Sequence, residues 1–411
     1  MKEFYNIQSP TNILFDKNVE LLPSVTELFE YELAYLEYKL LPENEYLERT
    51  AYAKSFKGKD SFHFLKYSKI PQAVTESRSS MTNAYFKNGL FSTGYATHSL
   101  FPYRGKFHPQ LIKGLINILG IKKGETIIDP MTGSGTTNIE ASLMGINSYA
   151  IDVSPFCQLM TMTKYEALKI DIELLEDTKF KVSELFSFFN KEDVFNKINN
   201  ANHEKRKIYQ LALLAFLDAL GYSKRVKNST HEQLFEKVLI RYLETVKNVL
   251  KDPYFDSTEI GNVEILKKSD ALNIGLQNNS VDAIITSPPY SFAINYVEND
   301  KAQLEYLGYD TKQLENRLIG LKGKTKKDKL ENYFNDMDVF CKEASRILKF
   351  RKYLVIVIGS NTNQTGGIRL EQTVIDSAKK YGLSLVKSIL KQIKGMRNTM
   401  KEEYVLIFKK E

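Results

Sequence analysis

The most informative stretch of the chain is "ETIIDPMTGSGTTNIEA", residues 125–141. An apolar strand pattern ends there at Asp129, a turn containing Gly133 and Gly135 follows, and a helix pattern begins near Thr136. Glycines in such a turn let the backbone approach a ligand closely, and the start of the helix offers free N–H groups. The stretch therefore predicts a strand, a ligand-binding turn and a helix in succession.

A second acidic residue follows about twenty residues further along the chain. The stretch "SYAIDVSPF" ends its strand pattern in Asp152, whose carboxylate can accept hydrogen bonds from ribose hydroxyls. A phosphate-binding P-loop would need a lysine directly after Gly135, and the dinucleotide pattern would need a third glycine where Asn138 stands. These residues therefore indicate a nucleoside ligand with little phosphate to bind.

Strand and helix patterns alternate through the middle and the end of the chain, which predicts a mostly parallel α/β sheet. The last two strand patterns, "LSLVKSILKQI" and "EEYVLIFKK", have no helix pattern between them. We expect these two to form an antiparallel pair at the edge of the sheet.

Two long segments interrupt the alternation and divide the chain. Residues 1–90 predict an appended segment that is largely helical, and residues 170–251 predict a helical insertion. The remaining ranges, 91–169 and 252–411, are the two halves of one predicted domain. A lysine-rich stretch near residues 317–329 contains glycines and predicts a mobile loop.

Composition narrows the class of protein. The chain has 57 Lys and Arg against 50 Asp and Glu, a net charge of +7 that favours an anionic partner. The first residues lack a signal peptide, and the longest apolar helix pattern is too short to cross a bilayer. Two cysteines and five histidines show no metal-ligand spacing. We expect a soluble, cytoplasmic protein with no membrane partner and no metal.

Three motifs together resemble one enzyme family, over roughly residues 95–165 and 260–411. "DPMTGSGTT" resembles the S-adenosylmethionine (AdoMet) motif of Rossmann-like methyltransferases, and "TSPPY" resembles the catalytic motif of the amino-methylating branch. "THSLFPYRGKFHPQLI" resembles the additional AdoMet-pocket segment of DNA amino-methyltransferases. The resemblance implies a Rossmann-like class I methyltransferase sheet, AdoMet as cofactor and double-stranded DNA as partner.

The same resemblance implies a set of cofactor-binding residues. Asp270 would contact the adenine amine, although an N-cap of the following turn is an alternative reading. The segment from Thr97 to Pro109 would surround the methionine end, unless it is an aromatic linker that packs on the sheet. The full set is Thr97, Tyr103, Phe107, His108, Pro109, Asp129, Pro130, Thr132, Gly133, Gly135, Thr136, Thr137, Asp152, Val153, Asp270 and Ala271.

The catalytic motif is Ser287-Pro288-Pro289-Tyr290, which follows an apolar strand pattern. Methyl transfer to an exocyclic amine requires the base to leave the duplex stack and its nitrogen to be held in line with the methyl group. The Ser287 hydroxyl and the Pro288 carbonyl can accept the two amine hydrogens, because proline fixes φ and brings no competing N–H. Tyr290 can stack on the base. The alternative is that Pro-Pro merely ends a strand.

Serine in the first position of the motif favours cytosine N4 in this family, whereas Asp or Asn favours adenine N6. Adenine N6 therefore stays an alternative. Less favoured are an RNA guanine-N2 methyltransferase, a protein-glutamine methyltransferase and a non-catalytic nucleic-acid-binding relative. "SPFCQ" does not match the Pro-Cys-Gln motif of cytosine-C5 enzymes, because Phe156 separates Pro155 from Cys157. We expect Cys157 to be a buried helix residue.

The part that reads the target sequence is not evident, because we expect no recognition domain after the catalytic half. The candidates are the N-terminal segment, the helical insertion and the loop after Tyr290. The helical insertion is the largest candidate, and its "HEKRKIYQ" and "YSKRVKNSTHEQ" stretches place Arg206 and Arg225 near helix ends. The lysine-rich stretch is a candidate for phosphate contacts. The sequence leaves open whether a cognate restriction endonuclease exists. The candidate DNA-binding residues are Arg206, Arg225, Lys322, Lys324, Lys326 and Lys327.

Overall fold

The computed structural model describes residues 10–15, 18–22, 25–62, 95–103, 105–223, 229–289, 295–360, 367–392 and 402–411. Its N-terminal segment contains helices and a small sheet. The helices are α1 (Pro10–Leu14), α2 (Leu28–Leu40) and α3 (Glu43–Arg49). The antiparallel sheet, in the order β1-β2-β3, contains β1 (Val19–Leu21), β2 (Ala53–Phe56) and β3 (Lys59–Asp60).

A seven-stranded sheet forms the centre of the molecule. Its strands are β4 (Thr126–Asp129), β5 (Asn147–Ala150), β6 (Val263–Ile265), β7 (Val281–Thr286), β8 (Leu348–Ser360), β9 (Leu383–Gln392) and β10 (Glu402–Lys410). They lie in the order β6-β5-β4-β7-β8-β10-β9. Strands β4 to β8 are parallel, and β10 is antiparallel to both of its neighbours. This order confirms the predicted Rossmann-like α/β fold, with an antiparallel pair at one edge.

Helices cover both faces of this sheet. They are α4 (Pro109–Ile118), α5 (Thr136–Leu143), α6 (Pro155–Ala167), α12 (Tyr296–Asn299), α13 (Lys301–Tyr306), α14 (Thr311–Glu315), α15 (Lys326–Ile347) and α16 (Leu370–Lys380), with the insertion helices between α6 and α12. Along β4, Ile127 packs on one face and Ile128 on the other, so alternate side chains enter two different cores. All six residues of β7 are buried, as expected for a central parallel strand.

The regular elements of the insertion between α6 and β6 are all helices among its described residues. Its helices are α7 (Ile172–Thr178), α8 (Val182–Phe189), α9 (Val194–Asn200), α10 (His203–Ser223) and α11 (His231–Leu250). They share an apolar core that also includes Phe101 and Phe156 of the main domain. Tyr242 of α11 donates to Asp218 of α10 at 2.8 Å and accepts from the Phe101 N–H at 2.7 Å. The insertion is therefore anchored to the segment that leads to Tyr103.

The N-terminal segment is packed firmly on the main domain. Apolar side chains of α2 and β2 share one core with α4 and with a face of the main sheet. In the same interface, the buried carboxylate of Glu37 on α2 accepts from the Asn117 amide of α4 at 2.6 Å and from the Ala51 N–H at 3.0 Å. Burial raises the pKa of Glu37. Residues 10–62 thus contribute to the stability of the main domain. Across the described residues, no helix combines the length and apolar character needed to cross a membrane.

Candidate active site

A cavity lies at the carboxyl ends of the central parallel strands, where the strand order reverses between β4 and β7. Such a reversal point is where ligands bind in open α/β sheets. The cavity has about 1340 Å³ of empty space, part of it open to solvent. Predicted site residues that line it are Tyr103, Phe107, His108, Pro130, Thr132, Gly133, Thr136, Asp152, Val153, Asp270, Ala271, Ser287 and Pro289.

The glycine turn between β4 and α5 is held from behind by α6. Gly133 and Gly135 have positive φ angles of 51° and 77°, which favour glycine. A Cβ on Gly135 would lie 2.8 Å from the Thr161 hydroxyl oxygen, so the turn has no room for one. One helical turn further on, Lys164 is fully buried and donates to the Ser134 carbonyl at 3.0 Å. The turn is therefore a fixed cradle.

Asn138 occupies the position at which the dinucleotide-binding pattern would have its third glycine, and it has a structural role. Its side-chain amide donates to the Ser148 hydroxyl and to the Tyr149 carbonyl, both at 3.0 Å. Its carbonyl oxygen accepts from the Thr132 hydroxyl. Asn138 thus ties the glycine turn to β5.

Asp152 connects the glycine turn to the end of β5. Its carboxylate accepts from the Gly133 N–H and from the Ser154 N–H, each at 2.8 Å. Burial raises the pKa of Asp152 to about 6 despite these bonds. The group is ionised at neutral pH and lines the cavity, so it can accept further bonds from a ligand. This geometry fits the ribose contact expected from the sequence.

Asp129 does not line the cavity but lies directly beneath the turn. Its carboxylate accepts from the Thr286 hydroxyl at 2.7 Å and from the Met131 N–H at 3.1 Å. Burial raises its pKa to about 6. Thr286 is the last residue of β7 and immediately precedes Ser287. Asp129 therefore fixes the cofactor turn and the catalytic motif relative to each other.

The catalytic motif begins where β7 ends. Ser287 and Pro289 line the same cavity as the glycine turn, and Pro288 is buried beside them. Tyr290 lies outside the described residues. The structure thus brings the two motifs, more than 150 residues apart in the chain, to one cavity.

Two aromatic rings close part of the cavity. Tyr103 and Tyr296 are nearly parallel, with ring centroids 6.2 Å apart and planes inclined by 14°. The Tyr103 hydroxyl accepts from the Cys157 thiol at 3.5 Å. Burial raises the pKa of Cys157 well above its usual value, so this thiol stays protonated. Cys157 is a buried helix residue, as expected, and not a nucleophile.

Asp270 stabilises a turn and also lines the cavity. Its carboxylate accepts from the Leu272 N–H at 2.9 Å, which stabilises the turn after β6. The same residue lines the cavity together with Ala271. The turn contact and a contact to a ligand are therefore compatible.

Several predicted cofactor residues do not line the cavity. Thr97 is fully buried, and Pro109 starts α4 behind the cavity wall. Gly135 and Thr137 shape the turn from its far side. Seven residues that were not among the predicted site residues also line the wall: Gly105, Lys106, Tyr296, Asp300, Arg317, Lys391 and Glu403. Gly105 and Lys106 lie within the predicted segment from Thr97 to Pro109, and Arg317 begins the lysine-rich stretch, whereas no motif marks the other four.

The predicted DNA-binding lysines differ in their surroundings. Lys322 forms an ion pair with Asp336 at 2.9 Å, whereas Lys324, Lys326 and Lys327 are exposed. The stretch predicted as a mobile loop becomes the first turn of α15 from Lys326 onward. The Thr325 hydroxyl accepts from the Asp328 N–H at 3.1 Å and caps that helix.

The two predicted arginines lie on α10 and beyond it. Lys207, the neighbour of Arg206, donates to the Lys169 carbonyl at 2.5 Å. Lys169 follows the C-terminal end of α6, which is the end distant from the cavity. The other end of α10, at Gly221 and Tyr222, lines a second cavity that shares Tyr103, Tyr296 and Asp300 with the first. Arg206 is thus about 22 Å along the helix from the site end. Arg225 lies outside the described residues.

Residues 99–215 match the family model described as "UPF0020: RMKL-like, methyltransferase domain". Together with the sheet order and the glycine turn, this match supports an AdoMet-dependent methyltransferase, which is the class and the cofactor that the motifs indicated. The residues that line the cavity fit AdoMet, since Asp152 offers acceptors to a ribose and the glycine turn leaves its backbone exposed to a ligand.

The chain is also similar to three curated relatives that are named Type II methyltransferases. M.BsoBI of Geobacillus stearothermophilus is 26% identical over 301 residues, 58% of this chain and 59% of the relative. M.MjaII of Methanocaldococcus jannaschii is 30% identical over 163 residues, 39% of this chain and 30% of the relative. M.MvaI of Kocuria varians is 23% identical over 394 residues, covering 74% and 86%. The chain thus spans less than two thirds of the length of the first two relatives.

Proposed function

We propose that this protein is a site-specific DNA methyltransferase that transfers a methyl group from AdoMet to the exocyclic amine of a flipped base, cytosine N4 in preference to adenine N6. One observation carries the proposal: Ser287 and Pro289 line the same cavity as Gly133 and Asp152. The similarity to Type II methyltransferases supports DNA as the substrate.

The chemistry follows from the position of the Ser-Pro-Pro turn. AdoMet supplies a methyl group on a cationic sulfur, and the protein must hold the amine nitrogen in line with it. The Ser287 hydroxyl and the Pro288 carbonyl would accept the two amine hydrogens and direct the nitrogen lone pair at the methyl group. Since Asp129 holds Thr286 at 2.7 Å, these acceptors are fixed before the base arrives.

Cytosine is the preferred substrate because a neutral hydroxyl orients an amine without removing its proton. The cytosine amine can attack the sulfonium methyl group first and lose its proton afterwards. Tyr290 would stack on the base and exclude water from it. Adenine N6 stays the alternative within the same site, because its amine presents the same two hydrogens.

Recognition of the target sequence is proposed for the site end of the insertion. The C-terminal end of α10 reaches the second cavity beside Tyr103 and Tyr296, whereas its N-terminal end is distant from the site. Exposed lysines at the start of α15 would contact phosphates. A cognate restriction endonuclease would be the partner of such an enzyme.

The test incubates the purified protein with methyl-labelled AdoMet and duplex DNA, and then identifies the labelled nucleoside by mass spectrometry. N4-methylcytosine is the expected product. N6-methyladenine would correct the base but keep the site. Label on carbon 5 of cytosine would overturn the proposal, as would label on RNA but not on DNA when RNA is offered in a parallel reaction.

A pair of serine variants tests the assignment of the catalytic motif. Ser287→Ala should abolish transfer and leave AdoMet affinity within about twofold, since the hydroxyl is assigned to the base. Ser280→Ala, just before the start of the same strand, is the matched control and should retain activity. Equal activity of both variants would remove Ser287 from the mechanism.

A further inference from the structure

Asp300 is a buried acid in the cavity wall to which no sequence motif assigns a role. It lies at the junction of α12 and α13, and only 7% of its surface is exposed. Although it occupies the N-cap position of α13, its side chain caps no N–H group. It lines both the cofactor cavity and the second cavity. Its carboxylate is therefore directed at space that a ligand can fill.

The buried position of Asp300 disfavours its charged form. Burial and the neighbouring negative charge of Asp152 raise the pKa of Asp300 to about 7, although Lys106, Arg317 and Lys391 line the same cavity. Buried carboxylates in proteins are normally paired or hydrogen-bonded. A positively charged group on a ligand would form an ion pair with the Asp300 carboxylate. Tyr103 and Tyr296 would exclude water from that ion pair and so strengthen it.

The position of Asp300 is on the cofactor side of the cavity. Its charge acts on Tyr103 and on Cys157, whose side chains contact each other. The Tyr103 ring in turn covers Gly133, because a Cβ on Gly133 would lie 3.4 Å from that ring. Asp300 is thus grouped with the glycine turn and with Asp152. AdoMet carries one localised ammonium group, on its amino-acid portion.

We propose that Asp300 binds the α-ammonium group of AdoMet. Asp129 is less suited to this contact, because it lies beneath the turn and its carboxylate already accepts from Thr286 and Met131. The inference rests on the AdoMet cofactor and is independent of the methyl acceptor. A failure to methylate DNA would therefore leave it unaffected.

The affinities for three ligands, measured by calorimetry, distinguish the contact with the ammonium group from the other contacts of the cofactor. AdoMet and S-adenosylhomocysteine both carry the ammonium group, whereas methylthioadenosine keeps the nucleoside and sulfur but lacks the amino-acid portion. Asp300→Asn should weaken the first two by about 10- to 100-fold and leave methylthioadenosine within about twofold. Asp152→Asn, which alters the proposed ribose contact, should weaken all three.

Glu298→Gln is the matched control. It also removes one negative charge, but from an exposed side chain two residues before Asp300. It should change none of the three affinities. Equal weakening of all three ligands by Asp300→Asn would show a structural role and overturn the proposal. Unchanged affinities would also overturn it, and a loss of turnover with unchanged affinities would assign Asp300 to the methyl acceptor instead.

Discussion

Replacing Gly135 by alanine should disrupt the glycine turn through two separable costs. At a φ of 77°, a residue with a Cβ loses about 1–2 kcal/mol relative to glycine. The new Cβ would also lie 2.8 Å, 2.9 Å and 3.0 Å from the Oγ1, Cγ2 and Cβ atoms of Thr161. Such overpacking costs about 1–3 kcal/mol. The total is about 2–5 kcal/mol of stability or of cofactor-binding energy.

Gly120→Ala is the matched control for the backbone cost alone. Gly120 has a similar φ of 68°, and a Cβ added there would meet no atom within 4 Å. Gly120→Ala should lose only the stability that corresponds to the backbone cost, and its AdoMet affinity should stay unchanged. Gly135→Ala should bind AdoMet at least about tenfold more weakly, since about 1.4 kcal/mol corresponds to one factor of ten.

Calorimetric titration with AdoMet measures the loss of cofactor affinity. Unfolding in urea measures the loss of stability. A further variant, Gly135→Ala with Thr161→Ala, removes the Oγ1 and Cγ2 contacts and should recover part of the lost affinity. The reasoning is refuted if Gly135→Ala and Gly120→Ala have the same stability and the same AdoMet affinity, because the contact with Thr161 would then not constrain the turn.

Three further predictions concern charge. Changing Lys324, Lys326 and Lys327 to Gln should flatten the salt dependence of DNA binding, whereas Lys322→Gln should have a smaller effect because Lys322 is paired with Asp336; filter binding at several salt concentrations compares them. AdoMet affinity should fall as the pH drops through about 6, where the carboxylate of Asp152 gains a proton and loses acceptor capacity; titration in an Asp300→Asn background removes the contribution of Asp300, and Asp152→Asn should show a smaller fall, which comes from Asp129 with its similar pKa of about 6. Mapping methylated sites should show an altered target sequence for Arg225→Ala but the wild-type sequence for Arg206→Ala, since Arg206 lies at the distant end of α10.

Local sequence patterns predict the central sheet and both motifs of the candidate site. Apolar runs that end at Asp129 and at the Ser-Pro-Pro turn identify buried parallel strands, because both faces of such strands are covered. Gly133 and Gly135 identify the turn, since the chain there needs positive φ angles. These signals are local, so they can be read without knowing what packs against them.

Tertiary structure alone decided how the motifs are joined and what completes the cavity. The bond from Thr286 to Asp129 spans 157 residues of sequence, and the wall is completed by Tyr296 and Asp300 from one segment and by Lys391 from another. It also decided that Arg206 is distant from the site and that Thr97 is buried outside the cavity. Contacts of this kind depend on which elements pack together, and an isolated residue carries no periodic or spacing pattern that could reveal its partner.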